Sequence, residues 1–202
     1  MTRMDFVYGL DDIANAEGAR SRTLLALLPE SEPIELSVGN TLIEIDGEGQ
    51  PERHLWNVVM GLFRHFRSID TEPELLGMEG REGPQGLALL SHVDDELYRR
   101  LENETAPYHP IVAVFPAVDG LPEDHASTFQ TLVLKSGRVG IHIITTVCHA
   151  GLLPMLFAQH IKTDDPTGYG GVLVGKHDAP DIAFNAPHFE RQDINHFKKS
   201  LR

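Results

Sequence analysis

The stretch that most constrains this chain is residues 41–66, in which a turn joins a short apolar run to an amphipathic segment. Leu42, Ile43 and Ile45 form the apolar run, which predicts a strand. After the turn, apolar residues recur at spacings of three and four, which predicts a helix with one apolar face. The residues of this face are Leu55, Val58, Val59, Leu62, Phe63 and Phe66.

A strand, a Gly-containing turn and a helix form the layout of a phosphate-binding loop, or Walker A motif. A working loop has the pattern G-x-x-x-x-G-K-[ST], in which backbone N–H groups surround the phosphates and a Lys reaches the outer ones. Counted from Gly47, the last three motif positions depart from this pattern. The positions for Gly, Lys and Ser or Thr hold Glu52, Arg53 and His54.

The charge of this turn also opposes a phosphate. Pro51 has no N–H group to donate. Asp46, Glu48 and Glu52 place three carboxylates where a polyanion would sit. The adjacent acids favour a local ion pair for Arg53 over a bound anion. We therefore predict a nucleotide-binding architecture that has lost its nucleotide chemistry, with no cofactor.

The composition indicates a globular chain without a membrane span. With 202 residues, 41% of them hydrophobic and 23% charged, we expect a single domain over residues 1–202. Residues 1–36 are expected to form an N-terminal extension, and residues 187–202 a C-terminal helix. No apolar run approaches the ~18 residues of a membrane-spanning helix. The N-terminus lacks the apolar core of a signal peptide, and one cysteine fits a reducing compartment, so we expect a cytoplasmic location.

The formal net charge of −13 restricts the kinds of partner. Nonspecific nucleic-acid binding depends on Lys and Arg that neutralise phosphates, so a nucleic-acid partner is disfavoured. An acidic surface favours solubility or a basic protein partner.

Strands and helices are predicted to alternate along the chain, which is typical of a three-layer α/β fold with a mostly parallel sheet and helices on both faces. Residues 111–115, IVAVF, have the continuous apolar, β-branched character of a strand buried on both faces. Further strands are predicted at residues 34–36, 74–78, 140–146, 171–174 and within 181–189. Helices are predicted at residues 94–103, 128–135 and 151–160, with one or two helical turns near residues 24–28.

Several segments, taken in order, resemble the RecA-like P-loop ATPase domain of the FtsK/SpoIIIE translocases. The chain is most similar to the degenerate, inactive modules of the type VII secretion ATPases EssC and EccC. The best pair is PIVAVFPAVDGL, at the place of Walker B, followed by GRVGIHIITTV, which resembles the family's Gly-Ile-His strand. The other matching segments are YGLDDI, TLIEIDGEGQPERHLWNVV, ELLGMEGREG with LALLSHV, and LPMLFAQHIKT.

The resemblance implies a second loss of chemistry. A Walker B Asp binds magnesium at the end of a buried strand, and an adjacent Glu positions the attacking water. Here the strand is followed by Pro116 and Ala117, which have no metal-binding group. Asp119 matches only a second acidic position of some members. No catalytic, cofactor-binding or metal-ligating residue carries over. The resemblance thus implies a non-catalytic module that contacts protein partners within a larger ATPase or secretion complex.

Two other functions stay open on the sequence. One is a small α/β enzyme that uses Cys148 or a metal bound by some of the eleven histidines. His149 follows Cys148 directly, and neighbouring side chains of an extended chain point opposite ways, so it is a poor base for this thiol. His142 lies in an apolar strand, which favours a core histidine. The other function is nucleotide binding without hydrolysis, with Arg53 as the contact.

Two features concern packing. Glu44 lies within the first strand of the loop motif, where a buried carboxylate needs a partner. The C-terminal segment carries apolar residues on one helical side, which predicts a helix docked on its own domain or on a neighbouring subunit. These candidate interaction residues are Phe189, Ile194, Phe197 and Leu201.

Overall fold

A computed structural model describes residues 22–26, 34–77, 84–103, 108–176, 179–186 and 191–200. In this part of the chain the strands are β1 (Arg22–Ala26), β2 (Ile34–Ser37), β3 (Thr41–Ile45), β4 (Glu74–Leu76), β5 (Ile111–Phe115), β6 (Ile141–Val147), β7 (Gln159–Thr163), β8 (Gly170–Leu173) and β9 (Ile182–Asn185). The α-helices are α1 (Glu52–Arg67), α2 (Pro84–Leu101), α3 (Glu123–Ser136) and α4 (Arg191–Ser200). None of the described helices combines the length and the apolar character that a membrane crossing requires.

Seven strands form one sheet in the order β4-β5-β6-β3-β7-β8-β9, and β1 and β2 form a separate antiparallel hairpin. The first five strands of this order are parallel, whereas β8 and β9 run antiparallel to their neighbours. The strand β3 lies centrally, with Thr41 opposite Ile144 of β6 and Gln159 of β7. Because the carboxyl ends of β3, β5 and β6 share one edge, the loops that follow them lie there together.

Helices cover both faces of the sheet, which confirms the predicted three-layer α/β architecture. Ile43 faces a core formed with α1 and α4, whereas Leu42 faces a core formed with α2 and α3. Both side chains are fully buried, as expected of a strand covered on two sides. Of the six residues predicted on the apolar face of α1, five are buried and Leu55 is half-buried. Each such side chain stabilises the fold by about 1.5–3 kcal/mol.

Asn40 fixes the start of β3, and thereby the position of the loop that follows this strand. Its buried side-chain amide donates to the Val133 carbonyl oxygen at 2.7 Å and to the Ser136 hydroxyl at 2.9 Å. Its side-chain oxygen accepts a 2.7 Å hydrogen bond from the Ile143 N–H. Because all these groups are buried, the bonds fix the position of β3 relative to α3 and β6.

The boundaries of α2 differ from the prediction. The helix predicted at residues 94–103 begins ten residues earlier, at Pro84. Leu90, Val93 and Leu97 are buried at spacings of three and four, so the apolar segment before residue 94 continues the same helical stripe.

The helix predicted at residues 151–160 is wrong. The chain forms a short 3-10 helix at Leu153–Met155 and then the strand β7, which lies beside β3. Leu152 and Met155 are 80% and 81% exposed, so the apolar residues of this segment do not share one buried face. The helical turns predicted near residues 24–28 are also wrong in the described part, because Arg22–Ala26 pairs with β2 as a strand.

The helix α4 docks on α1 of its own domain. Phe197 is buried and makes edge-to-face contacts with Trp56 and Phe63, at ring-centroid distances of 6.2 and 5.1 Å. Ile194 packs against the same core. The other two candidate interaction residues, Phe189 and Leu201, lie outside the described residues.

Candidate functional site

The phosphate-loop corner comprises residues 46–54, between the end of β3 and the first turn of α1. It lies directly against the turn at residues 163–170, called the β7–β8 turn below. The Asp46 N–H donates to the Thr163 carbonyl oxygen at 2.9 Å, and the Gln50 N–H to that of Asp165 at 3.1 Å. A Cβ on Gly49 would lie 2.2 Å from the Thr163 oxygen, so only glycine permits this approach.

Arg53, at the Lys position of the motif, binds the same turn. Its Nε donates to the Thr167 carbonyl oxygen at 3.2 Å. Its guanidinium lies 4.0 Å from the ring centroid of Tyr169, within the range of a cation–π interaction. The predicted local ion pair of Arg53 with the neighbouring acids stays a prediction.

His54, at the Ser/Thr position, is completely buried. Its Nε2 lies 3.1 Å from the Gly170 carbonyl oxygen, which only an N–H can satisfy, so Nε2 carries the proton. Burial lowers the pKa of His54 to about 4, although the bond to Gly170 and the Asp165 carboxylate act in the opposite direction. A neutral imidazole turned inward does not replace the hydroxyl that binds magnesium in a working loop.

The β7–β8 turn is organised by Asp165, which is 3% exposed. One carboxylate oxygen accepts hydrogen bonds from the N–H and hydroxyl of Thr167, at 2.9 and 2.7 Å. The other accepts from the Gly170 N–H at 2.7 Å. The Thr163 hydroxyl closes the turn with a 2.9 Å bond to the Gly170 carbonyl oxygen.

The Walker B corner, residues 116–119, lies at the carboxyl end of β5. Pro116 and Ala117 are both exposed, and Ala117 adopts a left-handed backbone with φ 54°, which is uncommon for a residue other than glycine. The Ala117 N–H donates to the Thr146 hydroxyl oxygen at 3.1 Å. Asp119 accepts a 2.7 Å bond from the Cys148 N–H, so this carboxylate holds the loop after β6.

The residues proposed for another enzymatic site lie in different surroundings. Cys148 and His149 are exposed, and the contact of Asp119 is with the backbone of Cys148 rather than its thiol. His142 is buried against Phe66, and burial lowers its pKa to about 4. Among the described residues, no three His, Cys, Asp or Glu side chains are grouped so that they could hold a metal ion.

Glu44 has the partners that its position in the sheet requires. Its carboxylate accepts from His160 Nε2 at 2.9 Å and lies 3.2 Å from Lys162 Nζ, both on β7. Burial raises the pKa of Glu44, but Lys162, the Ala150 N–H and His160 together keep this pKa below its ordinary value.

The sheet order, the central strand β3 and the loop that leads into α1 define a three-layer, P-loop-like α/β fold. No protein-family model and no curated protein sequence matches the chain. Solved structures do. The pCW3 conjugation coupling protein TcpA, solved in its monomer form with ATPγS, is similar with a TM-score of 0.66 and 11% identity, over 97% of this chain and 74% of that one.

Two type VII secretion proteins are similar as well. The cytoplasmic domain of the EccC ATPase of Thermomonospora curvata matches with a TM-score of 0.67 and 10% identity, over 88% of this chain and 28% of that one. EssC (ATPases 2 and 3) of Geobacillus thermodenitrificans matches with a TM-score of 0.64 and 12% identity, over 93% and 45%. The chain thus spans less than half of these two structures. The predicted resemblance to the FtsK/SpoIIIE type is confirmed at the level of the fold.

Sequence analysis missed the β7–β8 turn as the partner of the phosphate-loop corner. The segment from Asp164 to Gly171, DDPTGYGG, carries a turn signal, because Asp-Pro-Thr-Gly combines an Asx-turn residue with proline and glycine. That signal predicts a turn but not what it contacts. The contact depends on β7 lying beside β3, which followed only from the sheet order.

Proposed function

We propose that this chain is a non-catalytic P-loop-like module that acts through protein–protein contacts, as a structural or regulatory component of a translocation or secretion machine. The observation that carries the proposal is what Arg53 and His54 bind. At the two side-chain positions that serve ATP in a working loop, both residues bind carbonyl oxygens of the β7–β8 turn.

The Walker B corner supports the same conclusion. Hydrolysis needs a carboxylate that holds magnesium and a group that orients the attacking water. The two residues after β5 are a proline and an alanine, and Asp119 is hydrogen-bonded to the Cys148 N–H. With three exposed acids at the phosphate-loop corner, Asp46, Glu48 and Glu52, the electrostatic potential there also opposes a triphosphate.

The machine is proposed from the functions of the structural neighbours. These are a conjugation coupling protein and type VII secretion ATPases, and one EccC structure is a complex with a signal sequence peptide. A protein partner also fits the net charge of −13, which disfavours nucleic acid. By analogy with the cytoplasmic domain of EccC, we place the module in the cytoplasm.

The test is a direct measurement of nucleotide binding and turnover. We expect no heat of ATP binding and no shift in melting temperature at millimolar ATP and Mg²⁺, and no phosphate release above that of a buffer blank. Micromolar binding with turnover would refute the proposal. Binding without turnover that Arg53→Ala abolishes would instead support the nucleotide-binding alternative. Affinity purification from the native host would then identify the protein partner.

A further inference from the structure

We propose that the β7–β8 turn is an internal ligand of the phosphate-loop corner, so that this corner is occupied by the chain itself. The inference rests on the proposed function, because it explains what replaces the nucleotide. It also predicts that motif residues alone cannot restore nucleotide binding.

The first argument is the matching of donors to acceptors. Four donors of the corner meet four backbone carbonyl oxygens of this one turn. The donors are the N–H groups of Asp46 and Gln50, Nε of Arg53 and Nε2 of His54, and the acceptors belong to Thr163, Asp165, Thr167 and Gly170. In a working loop, backbone N–H groups and the motif side chains meet phosphate oxygens.

The second argument is charge. A phosphate brings negative charge to a corner that already exposes Asp46, Glu48 and Glu52, whereas a peptide carbonyl is a neutral acceptor. The acids that oppose a nucleotide therefore do not oppose these four carbonyl acceptors. A corner with this charge accepts neutral oxygens in preference to anionic ones.

The third argument is shape. Glycines stand at the points of closest approach between the two segments. A Cβ on Gly49 would lie 2.2 Å from the Thr163 oxygen, and one on Gly168, whose φ is +71°, would lie 3.0 Å from the Gln50 oxygen. Asp165 fixes the turn through Thr167 and Gly170, so the acceptors are held in place before they meet the loop.

Residue-resolved hydrogen exchange tests the contact itself. In the full chain we expect the amides of Asp46 and Gln50 to be protected. Asp165→Ala is expected to raise their exchange rates at least tenfold, whereas the matched change of the exposed neighbour, Asp164→Ala, leaves them unchanged. If Asp165→Ala does not fold, Asp165→Asn serves, because it keeps an oxygen for Thr167 and loses the acceptor for the Gly170 N–H. Unprotected amides in the unaltered chain, or protection unchanged in the folded Asp165 variant, would overturn the inference.

A second experiment tests whether the β7–β8 turn excludes ATP from the phosphate-loop corner. The triple variant Glu52→Gly, Arg53→Lys, His54→Thr restores the motif, and with Asp165 intact we expect no added protection of residues 46–54 by MgATP. Adding Asp165→Asn is expected to produce that protection. Protection of residues 46–54 by MgATP in the triple variant would contradict the internal ligand. The absence of that protection in the folded quadruple variant would contradict it as well. Turnover of ATP by the unaltered chain would refute the proposed function, whereas unprotected amides of Asp46 and Gln50 would refute only the internal ligand, so the two failures are distinguishable.

Discussion

At the phosphate-loop corner the motif side chains turn inward onto a neighbouring segment, whereas at the Walker B corner the corresponding residues face solvent. His54 is fully buried and Arg53 stacks on Tyr169, but Pro116 and Ala117 are exposed. The buried His54 is therefore part of the packed interior, whereas Pro116 and Ala117 are surface residues. The difference teaches that a residue at a motif position can have a packing role or none, and we expect the two cases to differ in their energetic consequences.

The largest effect on stability is expected at Asp165, in the β7–β8 turn that contacts the phosphate-loop corner. Asp165→Ala removes a buried carboxylate that accepts hydrogen bonds from the N–H groups of Thr167 and Gly170, so we expect a loss of about 3 kcal/mol in the free energy of unfolding. Asp164→Ala, an exposed control, should change it by less than about 0.5 kcal/mol. Urea denaturation measures both. Equal effects of the two substitutions would mean that the Asp165 carboxylate does not stabilise the turn.

The pH dependence of stability should report the burial of His54. The pKa of His54 is about 4 in the folded chain against 6.5 for an ordinary histidine, so between these pH values the unfolded chain binds more protons. The free energy of unfolding therefore falls as the pH drops, by about 2 kcal/mol for this group between pH 7 and pH 5. His142 adds a similar fall of its own.

The measurement is urea denaturation at both pH values for the unaltered chain and for His54→Gln. This variant keeps a donor for the Gly170 oxygen and removes the titrating group, so its pH dependence should be weaker than that of the unaltered chain. An unchanged slope in His54→Gln would show that His54 is not held neutral by burial.

A smaller effect is expected at Arg53. Arg53→Ala removes the hydrogen bond to the Thr167 oxygen and the stacking on Tyr169, and should cost about 1 kcal/mol of unfolding free energy. Arg53→Lys keeps the charge but not the planar group, so it should recover only part of this loss. Thermal unfolding of the two variants checks the order, and full recovery with lysine would assign the effect to charge alone.

The Walker B corner should tolerate change best. Asp119→Asn keeps an oxygen for the Cys148 N–H at an exposed position, so we expect less than about 0.5 kcal/mol of destabilisation. The exposed Cys148 thiol should be alkylated by iodoacetamide in the folded chain nearly as fast as in urea. Strong protection of this thiol would show that the Walker B corner is covered, and the contrast between the corners would disappear.

The sequence by itself determined the layers of the fold and the residue types at the motif positions. The continuous apolar run of β5 and the three-and-four spacing in α1 specify local structure, because periodicity records which faces are buried. The residues at the motif positions, Glu52, Arg53, His54, Pro116 and Ala117, show what those positions lack.

Only the tertiary structure decided where Arg53 and His54 bind. Their acceptors lie more than 110 residues away in sequence, and the contact requires β7 to pair with β3. Periodicity failed around β7, because the apolar residues between Leu152 and Phe157 suggested a helix, whereas the strand itself, QHIKT, contains one apolar residue. Local patterns specify elements, but long-range pairing of strands determines which side chains meet.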